Sequence, residues 1–414
     1  MNRYRQAGLS LIELMVALLL STLLVLGLIE IFSASKSSYL MAQGLSRAQE
    51  TSRFAIDSLQ RDARMTGHFG CVSDQAHFYS GSGLFGELFL KNRSDYTSIP
   101  NELEPLKFNY SIRGYEANNT GPNGILNLTA QQPAGGVGEW TPALPDMIFG
   151  SLNPKPLRGS DVLVLRFLSP ESSEVLKFNT GANAVIDVKS DQWLAVGGAE
   201  APIDKPGLLA IADCRSVVLF HASKAETLAD NVTRISVASG GLNQTEFDGS
   251  DTFTSGQARL YRAETFVYYV GIKAADQPGA GEPALFRARY TAQVGPPRLE
   301  VDTGRSEEMV EGVENMQLMY AQDIVTDPLL PPTGVINSLN TANAVLPNSG
   351  SQAGWQRVGG MRVGLLIRGT EGATASMREV APRSLGTQLT LPNDGRYRAV
   401  YETNVALRNR LFGN

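Results

Sequence analysis

The sequence predicts an α+β fold, in which a long N-terminal helix packs on a mostly antiparallel β-sheet domain with long loops. An apolar run stands at the N-terminus, a polar segment with helical spacing follows it, and runs with strand character occupy the rest of the 414-residue chain. The helical signals come first and the strand signals follow, whereas an α/β protein would alternate them. The first half of the helix is predicted to span a membrane.

The apolar run covers residues 9–32 and contains only two ionisable side chains, Glu13 and Glu30. As a helix rising about 1.5 Å per residue, it is long enough to cross a hydrocarbon layer of about 30 Å. Arg3 and Arg5 precede the run, and basic residues before a membrane helix tend to stay in the cytoplasm. No second apolar run of this length follows. The chain is therefore expected to cross the membrane once.

A secretory signal peptide is the competing interpretation of this run, because Ser33, Ala34 and Ser35 offer small residues for cleavage after it. The apolar core of a signal peptide is usually about 7 to 15 residues long. The run here is longer and carries a carboxylate near its start. A retained membrane helix therefore fits the sequence better than a cleaved signal.

The helix is predicted to continue beyond the membrane, so that residues 9–66 form one element of roughly 85 Å. No proline interrupts 33–66, and Gly44 is the only glycine there. Apolar side chains recur at helical spacing, and opposite charges stand three or four positions apart. The apolar positions are Met41, Leu45, Ala48, Ala55 and Leu59, and the charge pairs are Glu50 with Arg53, Arg53 with Asp57, and Asp57 with Arg61. The charged face is interpreted as a solvated, salt-bridged surface.

Residues 67–414 are predicted to form a β-rich domain. Glycine, asparagine, serine and proline are frequent in 67–158, which indicates irregular structure with short strands. Strand patterns occur at 85–90, 106–110, 161–168, 208–211, 216–221, 263–271, 284–290, 309–321, 359–368 and 396–407. Prolines mark 326–355 as a long surface loop between strands.

The two cysteines, Cys71 and Cys214, lie 143 positions apart on the side of the membrane where thiols oxidise. A disulfide between them would tie the segment after the helix to the sheet and contribute about 4 to 5 kcal/mol in the loop-entropy model. The alternative is a metal site that adds His68, His77 and His221 to the two thiols. Their spacing matches no recognised ligand motif, so the disulfide is the prediction and no metal is expected.

No motif in the sequence indicates catalysis or a cofactor. Residues 81–86 read G-x-G-x-x-G, but a dinucleotide site needs that turn between a buried strand and a helix, and a strand-like pattern follows instead. The acidic turn at 248–251 lacks the spacing of an EF-hand. A net charge of −5 gives no reason to expect nucleic-acid binding. A paired-carboxylate active site assembled only in the fold stays open.

Gly8 and the segment 9–17 that follows it resemble the N-terminal motif of type IV pilins and the related pseudopilins. A polar leader, a glycine, an apolar run and one early glutamate stand in the family's register. The resemblance implies that a prepilin peptidase removes residues 1–8, that Leu9 becomes the N-methylated N-terminus, and that Glu13 is the family's glutamate. In that family's filaments the glutamate pairs with the N-terminal amine of a neighbouring subunit and sets its register. Leu9 departs from the commoner phenylalanine, at a position that varies in minor members.

Further segments resemble landmarks of PilW-type minor pilins. They are residues 65–71, 212–214, 268–270, 309–320, 355–363 and 397–409. Residues 311–316 are also similar to the J-type pseudopilin of type II secretion. The likeness runs from end to end but is patchy, because 81–159 and 326–354 match only in composition.

The resemblance implies a structural, non-catalytic minor pilin of a type IV pilus. Before assembly it would cross the inner membrane once, with its N-terminus in the cytoplasm and residues 67–414 in the periplasm, and it would then join a priming complex near the pilus tip. Its implied partners are other minor pilins, the major pilin, a tip adhesin and the prepilin peptidase, with no cofactor and no nucleic acid. Two alternatives remain: a J-type pseudopilin of type II secretion, and a bitopic periplasmic enzyme or binding protein whose leader match is accidental.

Overall fold

The structure is a computed structural model in which one long helix leads into a domain of β-sheets. It describes residues 10–73, 85–88, 101–108, 110–197, 206–243, 246–249, 251–273, 281–295, 298–325, 333–346, 352–372 and 381–410. The helices are α1 (Leu11–Met65), α2 (Asp146–Ser151), α3 (Ser190–Ala195) and α4 (Gln352–Gln356). The predicted α+β class is confirmed, since the long helix precedes mostly antiparallel strands.

The described chain contains 22 strands. In chain order they are β1 (His68–Phe69), β2 (Val72–Ser73), β3 (Phe85–Leu88), β4 (Ile112–Ala117), β5 (Ile125–Asn127), β6 (Trp140–Thr141), β7 (Val162–Asn179), β8 (Asn183–Lys189), β9 (Leu208–Ala212), β10 (Ser216–His221), β11 (Lys224–Thr227), β12 (Val232–Ala238), β13 (Arg259–Ile272), β14 (Pro283–Ala292), β15 (Leu299–Val301), β16 (Glu307–Glu311), β17 (Val313–Gln322), β18 (Ser338–Asn340), β19 (Val358–Gly372), β20 (Arg383–Ser384), β21 (Thr387–Thr390) and β22 (Arg396–Ala406).

Two sheets make up most of the domain. The large sheet has thirteen strands along the main path β11-β12-β8-β7-β13-β9-β10-β3, with β14, β15 and β16 beyond one side of β13 and with β4 and β6 beyond β7. The second sheet has four strands in the order β18-β17-β19-β22, all antiparallel. Two small sheets, β1-β2 and β20-β21-β5, complete the described strands.

One hydrophobic core joins α1 to both main sheets. It includes Ala55, Leu59 and Ala63 of α1, Leu165 and Tyr268 of the large sheet, and Met316, Val363, Leu365 and Val405 of the four-stranded sheet. All of these side chains are buried. The second half of α1 therefore packs as one layer of the domain, while its first half extends beyond it.

The structure divides one predicted strand into two. The pattern at 309–321 predicts a single strand, but the chain forms β16, which pairs with β14 of the large sheet, and then β17, which belongs to the four-stranded sheet. Gly312 lies between them with φ 86°, a conformation that glycine adopts without steric cost. Its would-be Cβ also lies only 2.8 Å from the carbonyl oxygen of Arg368. Gly312 thus lets the chain pass from one sheet to the other.

Two other predictions, of a strand at 106–110 and of a loop at 326–355, differ from the structure. No strand covers 106–110 in its described part, because a 3-10 turn at Asn101–Leu106 occupies its start, and Pro105 within that turn has no N–H for a ladder. The predicted loop at 326–355 contains β18 and the start of α4 in its described part. The remainder of that loop lies outside the described residues, as does the end of the strand predicted at 85–90.

Candidate assembly interface

The first half of α1 is an exposed apolar surface. Every large apolar side chain from Leu11 to Phe32 is more than half exposed in the single chain. By length and composition α1 is able to cross a membrane, and none of its apolar window is buried against the domain. A contiguous apolar surface of this size requires lipid or other proteins to cover it.

Ser10 and Glu13 cap the first turn of this helix. The Ser10 hydroxyl oxygen accepts the Glu13 backbone N–H at 3.3 Å, and Glu13 Oε2 accepts the Ser10 backbone N–H at 2.9 Å and its hydroxyl at 3.0 Å. Such a capping box pairs two of the backbone N–H groups that a helix start leaves unpaired. Glu13 therefore has an intrachain role that the sequence analysis missed, although the spacing of Ser10 and Glu13 before an apolar run is the signature of a capping box. Gly8 and Leu9, the predicted processing residues, lie outside the described residues.

A stripe of small residues fixes the second half of α1 to the four-stranded sheet. The buried positions of the helix are Gly44, Ala48, Ser52, Ala55, Leu59, Asp62 and Ala63. At Gly44 an added Cβ would lie 3.3 Å from the Cβ of Tyr397 on β22, and an added Cβ at Gly369 of β19 would lie 3.4 Å from Gly44 Cα. The helix and strand backbones approach closely here because two glycines meet.

This stripe corrects part of the sequence interpretation. Ala48, Ala55 and Leu59 are buried as their spacing predicts, but Met41 and Leu45 remain 39% and 37% exposed. The helix at these two positions lies near the edge of the domain, so its apolar face is only partly covered. Gly44 and Ser52 take buried positions instead, and neither residue type carries an apolar signal in the sequence.

A buried acid anchors the helix to the large sheet. Asp62 is 8% exposed. Its Oδ2 accepts a hydrogen bond from the Tyr268 hydroxyl. The same oxygen forms an ion pair with Arg287 Nη1 at 2.8 Å. Burial, reinforced by the neighbouring Asp62 carboxylate, raises the pKa of Tyr268 well above its usual value. The phenol therefore stays protonated and donates to the acid.

The C-terminal end of α1 is held from two directions. Asn409 Nδ2 donates to the backbone oxygens of Arg64 at 3.1 Å and of Met65 at 3.4 Å. The Gly67 N–H donates to the Arg166 oxygen of β7 at 3.2 Å. The last carbonyls of a helix need such partners, so the chain tail closes the helix end onto the domain.

The predicted disulfide between Cys71 and Cys214 is confirmed. Their Cα atoms are 4.6 Å apart, within the range that a disulfide spans. It joins the β1-β2 hairpin, directly after α1, to the turn between β9 and β10. The bond uses the thiolates that the alternative metal site would need. His68 Nδ1 lies 2.9 Å from the Leu168 oxygen and His221 Nε2 lies 2.8 Å from the Gln293 oxygen, while His77 is outside the described residues.

The solvent side of α1 carries charge and one aromatic ring. Arg53 and Asp57 form an ion pair of 3.9 Å at i,i+4, with both side chains largely exposed. Between them Phe54 is 58% exposed. Exposed pairs of this kind contribute at most about 1 kcal/mol, which agrees with the interpretation of this face as a solvated surface.

A buried ion pair crosses the four-stranded sheet and was not predicted from the sequence. Glu314 on β17 accepts from Arg398 on β22, with Nε to Oε2 at 2.7 Å and Nη2 to Oε1 at 2.9 Å. Burial raises the pKa of Glu314, while the two guanidinium hydrogen bonds oppose that rise. Arg398 also binds Asp394, and these hydrogen bonds lower the pKa of Asp394 to about 2. The pairing fixes β22 against the sheet from the side opposite α1.

Two buried acids, Glu116 and Asp161, lie together where β4, β7 and β17 meet. Asp161 Oδ1 accepts the Ala117 N–H at 2.8 Å, and its Oδ2 accepts the Leu318 N–H at 2.7 Å. Glu116 Oε1 accepts the Thr120 hydroxyl at 3.1 Å. Burial raises the pKa of Glu116 to about 7 and the pKa of Asp161 well above its usual value. The carboxylates join backbone segments of different sheets.

Two weaker sequence features have a limited structural outcome. In the acidic turn, the Asp248 N–H donates to Asp251 Oδ2 at 2.8 Å, so one carboxylate pairs with backbone in the turn itself. Of the glycine-rich segment 81–86, only Phe85 and Gly86 are described, and they begin β3.

Comparison with protein families finds two matches, one near each end of the chain. The family described as Type IV Pilus-assembly protein W (PilW) matches residues 267–409, a segment that includes β14 to β22 and the Glu314–Arg398 pair. The family described as Prokaryotic N-terminal methylation motif matches residues 3–29, which include the capping box and most of the exposed apolar surface. No curated protein and no solved structure matches the chain significantly. The exposed helix, its early glutamate and these two family matches support a type IV pilus minor pilin.

Proposed function

We propose that the chain is a structural, non-catalytic subunit of the priming and tip complex of a type IV pilus. In this role it initiates filament assembly and links the filament to a tip adhesin. The observation that carries the proposal is the single helix α1, which is exposed and apolar in its first half and packed on the domain in its second. That division suits a subunit stored in a membrane and then transferred into a bundle of like helices.

The charged groups at the helix start support this role. Within an apolar bundle an unpaired carboxylate is strongly unfavourable, so Glu13 needs a cation when it leaves the membrane surface. Cleavage after Gly8 would create an amine at Leu9, and the amine of one subunit is the cation that Glu13 of its neighbour would meet. The capping box with Ser10 keeps the carboxylate hydrogen-bonded until then. Only a subunit in correct axial register satisfies both charges.

The proposal assigns three parts to the chain. Residues 1–8 are a leader removed by the prepilin peptidase, residues 9–66 form the assembly helix with 9–32 in the membrane, and residues 67–414 form the periplasmic domain. The chain crosses the inner membrane once with its N-terminus in the cytoplasm before assembly. Its partners are other minor pilins, the major pilin and the adhesin, and it finally resides at the pilus tip.

The leader is tested by mass spectrometry of the protein recovered from membranes of cells with and without the prepilin peptidase. We expect a chain that begins at N-methylated Leu9 when the peptidase is present, and a chain that begins at Met1 when it is absent. A chain cut after Ser35, or one that begins at Met1 in both strains, would refute processing and leave 9–32 as a signal peptide or a plain anchor.

The role of Glu13 in charge pairing is tested by three variants within the apolar segment 9–32. Glu13→Gln removes the charge but keeps a side chain that forms a capping box, Glu13→Ala removes both, and Glu30→Gln removes the other carboxylate of the apolar segment. We expect both Glu13 variants to stay in the membrane but to be lost from sheared pili, whereas Glu30→Gln remains. Retention of Glu13→Gln in pili would show that capping, and not charge pairing, is the role of this residue.

The J-type pseudopilin of type II secretion is the second candidate, favoured by residues 311–316. The match of 267–409 to a pilus-assembly family supports the pilus instead. Recovery of the full-length chain from detergent-solubilised membranes decides between them. Minor pilins among its partners support the proposal, and secretion pseudopilins in their place refute it.

A further inference from the structure

The four-stranded sheet has one long edge, formed by β22. A strand with a neighbour on one side only exposes unpaired backbone groups, and monomeric proteins keep such strands short or cover them. Among the described residues, every other strand with one neighbour has five residues or fewer: β1, β2, β3, β5, β6, β11, β15, β16, β18 and β20. β22 has eleven residues and pairs only with β19.

At the opposite edge of the same sheet, a short strand and both backbone and side-chain groups bind β17. β18 pairs with the last three residues of β17 only. Along the rest of β17, the Asp161 N–H donates to the Met316 oxygen at 2.9 Å, and the Leu318 N–H donates to Asp161 Oδ2 at 2.7 Å. The Met316 N–H donates to Ser160 Oγ at 3.1 Å. Backbone groups along the outer edge of β17 thus have partners within the chain. The outer edge of β22 differs in this respect.

The register shows which backbone groups of β22 point outwards. The Leu407 N–H donates to the Gly359 oxygen at 3.0 Å, in line with the pairing of Val405 with Met361. Hydrogen bonding alternates along an antiparallel ladder, so odd-numbered residues bond to β19. The even-numbered residues direct N–H and C=O away from the sheet, and within the described chain these groups have no backbone partner: Arg398, Val400, Glu402, Asn404 and Ala406.

Three of the usual protections of an edge strand, a bulge, proline and lysine, are absent from this stretch. From Arg398 to Ala406 the pairing with β19 is regular, without a bulge. The sequence there contains neither proline nor lysine, the residues that most often blunt an edge. Glu402 is paired with Arg362 on the sheet itself, at 2.6 Å. The edge is therefore able to accept another strand without rearrangement.

The surface beside this edge indicates where an added strand would lie. Gly44 of α1 approaches Tyr397, and Gln60 of α1 donates to Thr403 Oγ1 at 3.0 Å, so α1 and β22 run side by side in the same direction. Ile56, Tyr397 and Tyr401 are only partly buried against the core. A strand added to β22 would run along α1 and rest alternate apolar side chains near these three residues.

We propose that β22 receives an extended segment from a neighbouring pilus subunit of a different kind, which becomes the fifth strand of this sheet. Two copies of this chain anchored in one membrane hold α1, and therefore β22, in the same direction. Two β22 edges would have to oppose each other to pair antiparallel, which the shared anchor prevents. The occupant is a strand-forming segment with apolar residues at alternate positions. Its identity as a pilus subunit rests on the proposed function.

The test replaces an outward-pointing backbone N–H. Asn404→Pro and Ala406→Pro remove donors that face away from β19, whereas Asn404→Ala changes the same side chain and keeps its N–H. The full-length variants are expressed in cells whose own gene is deleted, and co-recovered pilus subunits are measured by quantitative mass spectrometry. We expect about a tenfold loss for each proline variant, because one hydrogen bond and the strand contact around it are lost. Asn404→Ala should match the unchanged protein.

Folding and identity are checked in the same samples. Each variant must form the Cys71–Cys214 disulfide and unfold at the same temperature as the unchanged protein. If a proline variant does not, cross-linking from the edge tests the inference in its place. A photo-cross-linker at Asn404 or Ala406 should give one product, whose peptides map to one segment of another pilus subunit.

The outcomes separate this inference from the proposed function. Equal recovery of subunits by the proline variants and by Asn404→Ala overturns the strand addition alone. Cross-linking to another copy of this chain overturns the choice of occupant. If the unchanged protein recovers no pilus subunit, the proposed function fails, and so does the identification of the partner. A cross-link from β22 to one segment of another protein would then still support strand addition at this edge.

Discussion

The buried pair Glu116 and Asp161 makes the stability of the domain depend on pH, and Glu116→Gln should remove the part of that dependence that Glu116 contributes. Both side chains are almost fully buried, at 2% and 1% exposure. Burial raises the pKa of Glu116 from 4.5 to about 7. The Asp161 pKa rises through burial and through the Glu116 charge. Burial, together with the Asp161 and Glu116 charges, also raises the pKa of the buried Tyr320 phenol well above its usual value.

The size and sign of the effect follow from the pKa of Glu116. Because the folded chain holds this proton up to about pH 7 and the unfolded chain only to about 4.5, Glu116 lowers the free energy of unfolding as pH rises between these values and lowers it no further above them. A shift of this size corresponds to about 3 kcal/mol. Glutamine resembles the protonated acid, so between about pH 4.5 and 7 the free energy of unfolding of Glu116→Gln should fall by about 3 kcal/mol less than that of the unchanged protein. Above pH 7 it should exceed that of the unchanged protein.

Urea unfolding of the full-length chain in detergent micelles measures this, followed by tryptophan fluorescence because Trp140, Trp193 and Trp355 are buried. Glu226→Gln removes a carboxylate from the exposed edge strand β11 and should keep the pH profile of the unchanged protein. Asp394, with its pKa near 2, loses its stabilising charge only below about pH 4 and so outside the range used. If the free energy of unfolding of Glu116→Gln falls with rising pH by as much as that of the unchanged protein, the reasoning is refuted.

Three further predictions use the same unfolding measurement. Replacing Cys71 and Cys214 together by serine should lower the free energy of unfolding by up to about 5 kcal/mol, the loop-entropy value for this separation, and an unchanged value would mean that the bridge constrains nothing. Gly44→Leu should cost about 1 to 3 kcal/mol by overpacking, although leucine favours helices more than glycine. Asp62→Asn should cost about 2 kcal/mol because it removes one of the two acids that pair with the partly buried Arg287 guanidinium and weakens the acceptor of the Tyr268 hydroxyl.

Each of the last two predictions has a matched control on the same helix. Gly27 has nothing within 4 Å of a would-be Cβ, so Gly27→Leu should not destabilise the chain. Asp57 is exposed and pairs with Arg53 at 3.9 Å, so Asp57→Asn should change the free energy of unfolding by less than about 0.5 kcal/mol. Equal losses at Gly44 and Gly27, or at Asp62 and Asp57, would contradict the packing argument.

The features predicted from the sequence are those with local signals. The helix shows itself through an uninterrupted apolar run and i,i+4 charge pairs, both properties of neighbouring residues. The disulfide needed only a count of two cysteines and an oxidising compartment. The strand prediction at 309–321 failed at Gly312 because period-two alternation continues through a glycine that changes sheets. Periodicity reports which residues alternate, not which strand they pair with.

The contacts that were missed join residues far apart in the chain. Glu314 and Arg398 are separated by 84 positions, and Asp161 reaches Leu318 across 157. An isolated glutamate or aspartate in a sequence is most often on the surface, so nothing local marks these as buried. Gly44 and Ser52 were missed for a related reason, since close backbone approach selects small residues without regard to their polarity. Only the fold brings such partners together.

The helix α1 links the two surfaces that the proposals assign to assembly. Glu13 lies 31 residues before Gly44, about 46 Å along a helix, and Gly44 meets β22 at Tyr397. Because glycine contacts at that point leave no space for the helix to rotate or slide, the position of Glu13 is fixed relative to the open edge of β22. In the proposed filament, a neighbour that pairs its amine with Glu13 would thereby be placed at a defined height along that edge. Under the two proposals, charge pairing in the bundle and strand pairing on the domain depend on the same position of α1, so a misplaced neighbour would lose both contacts.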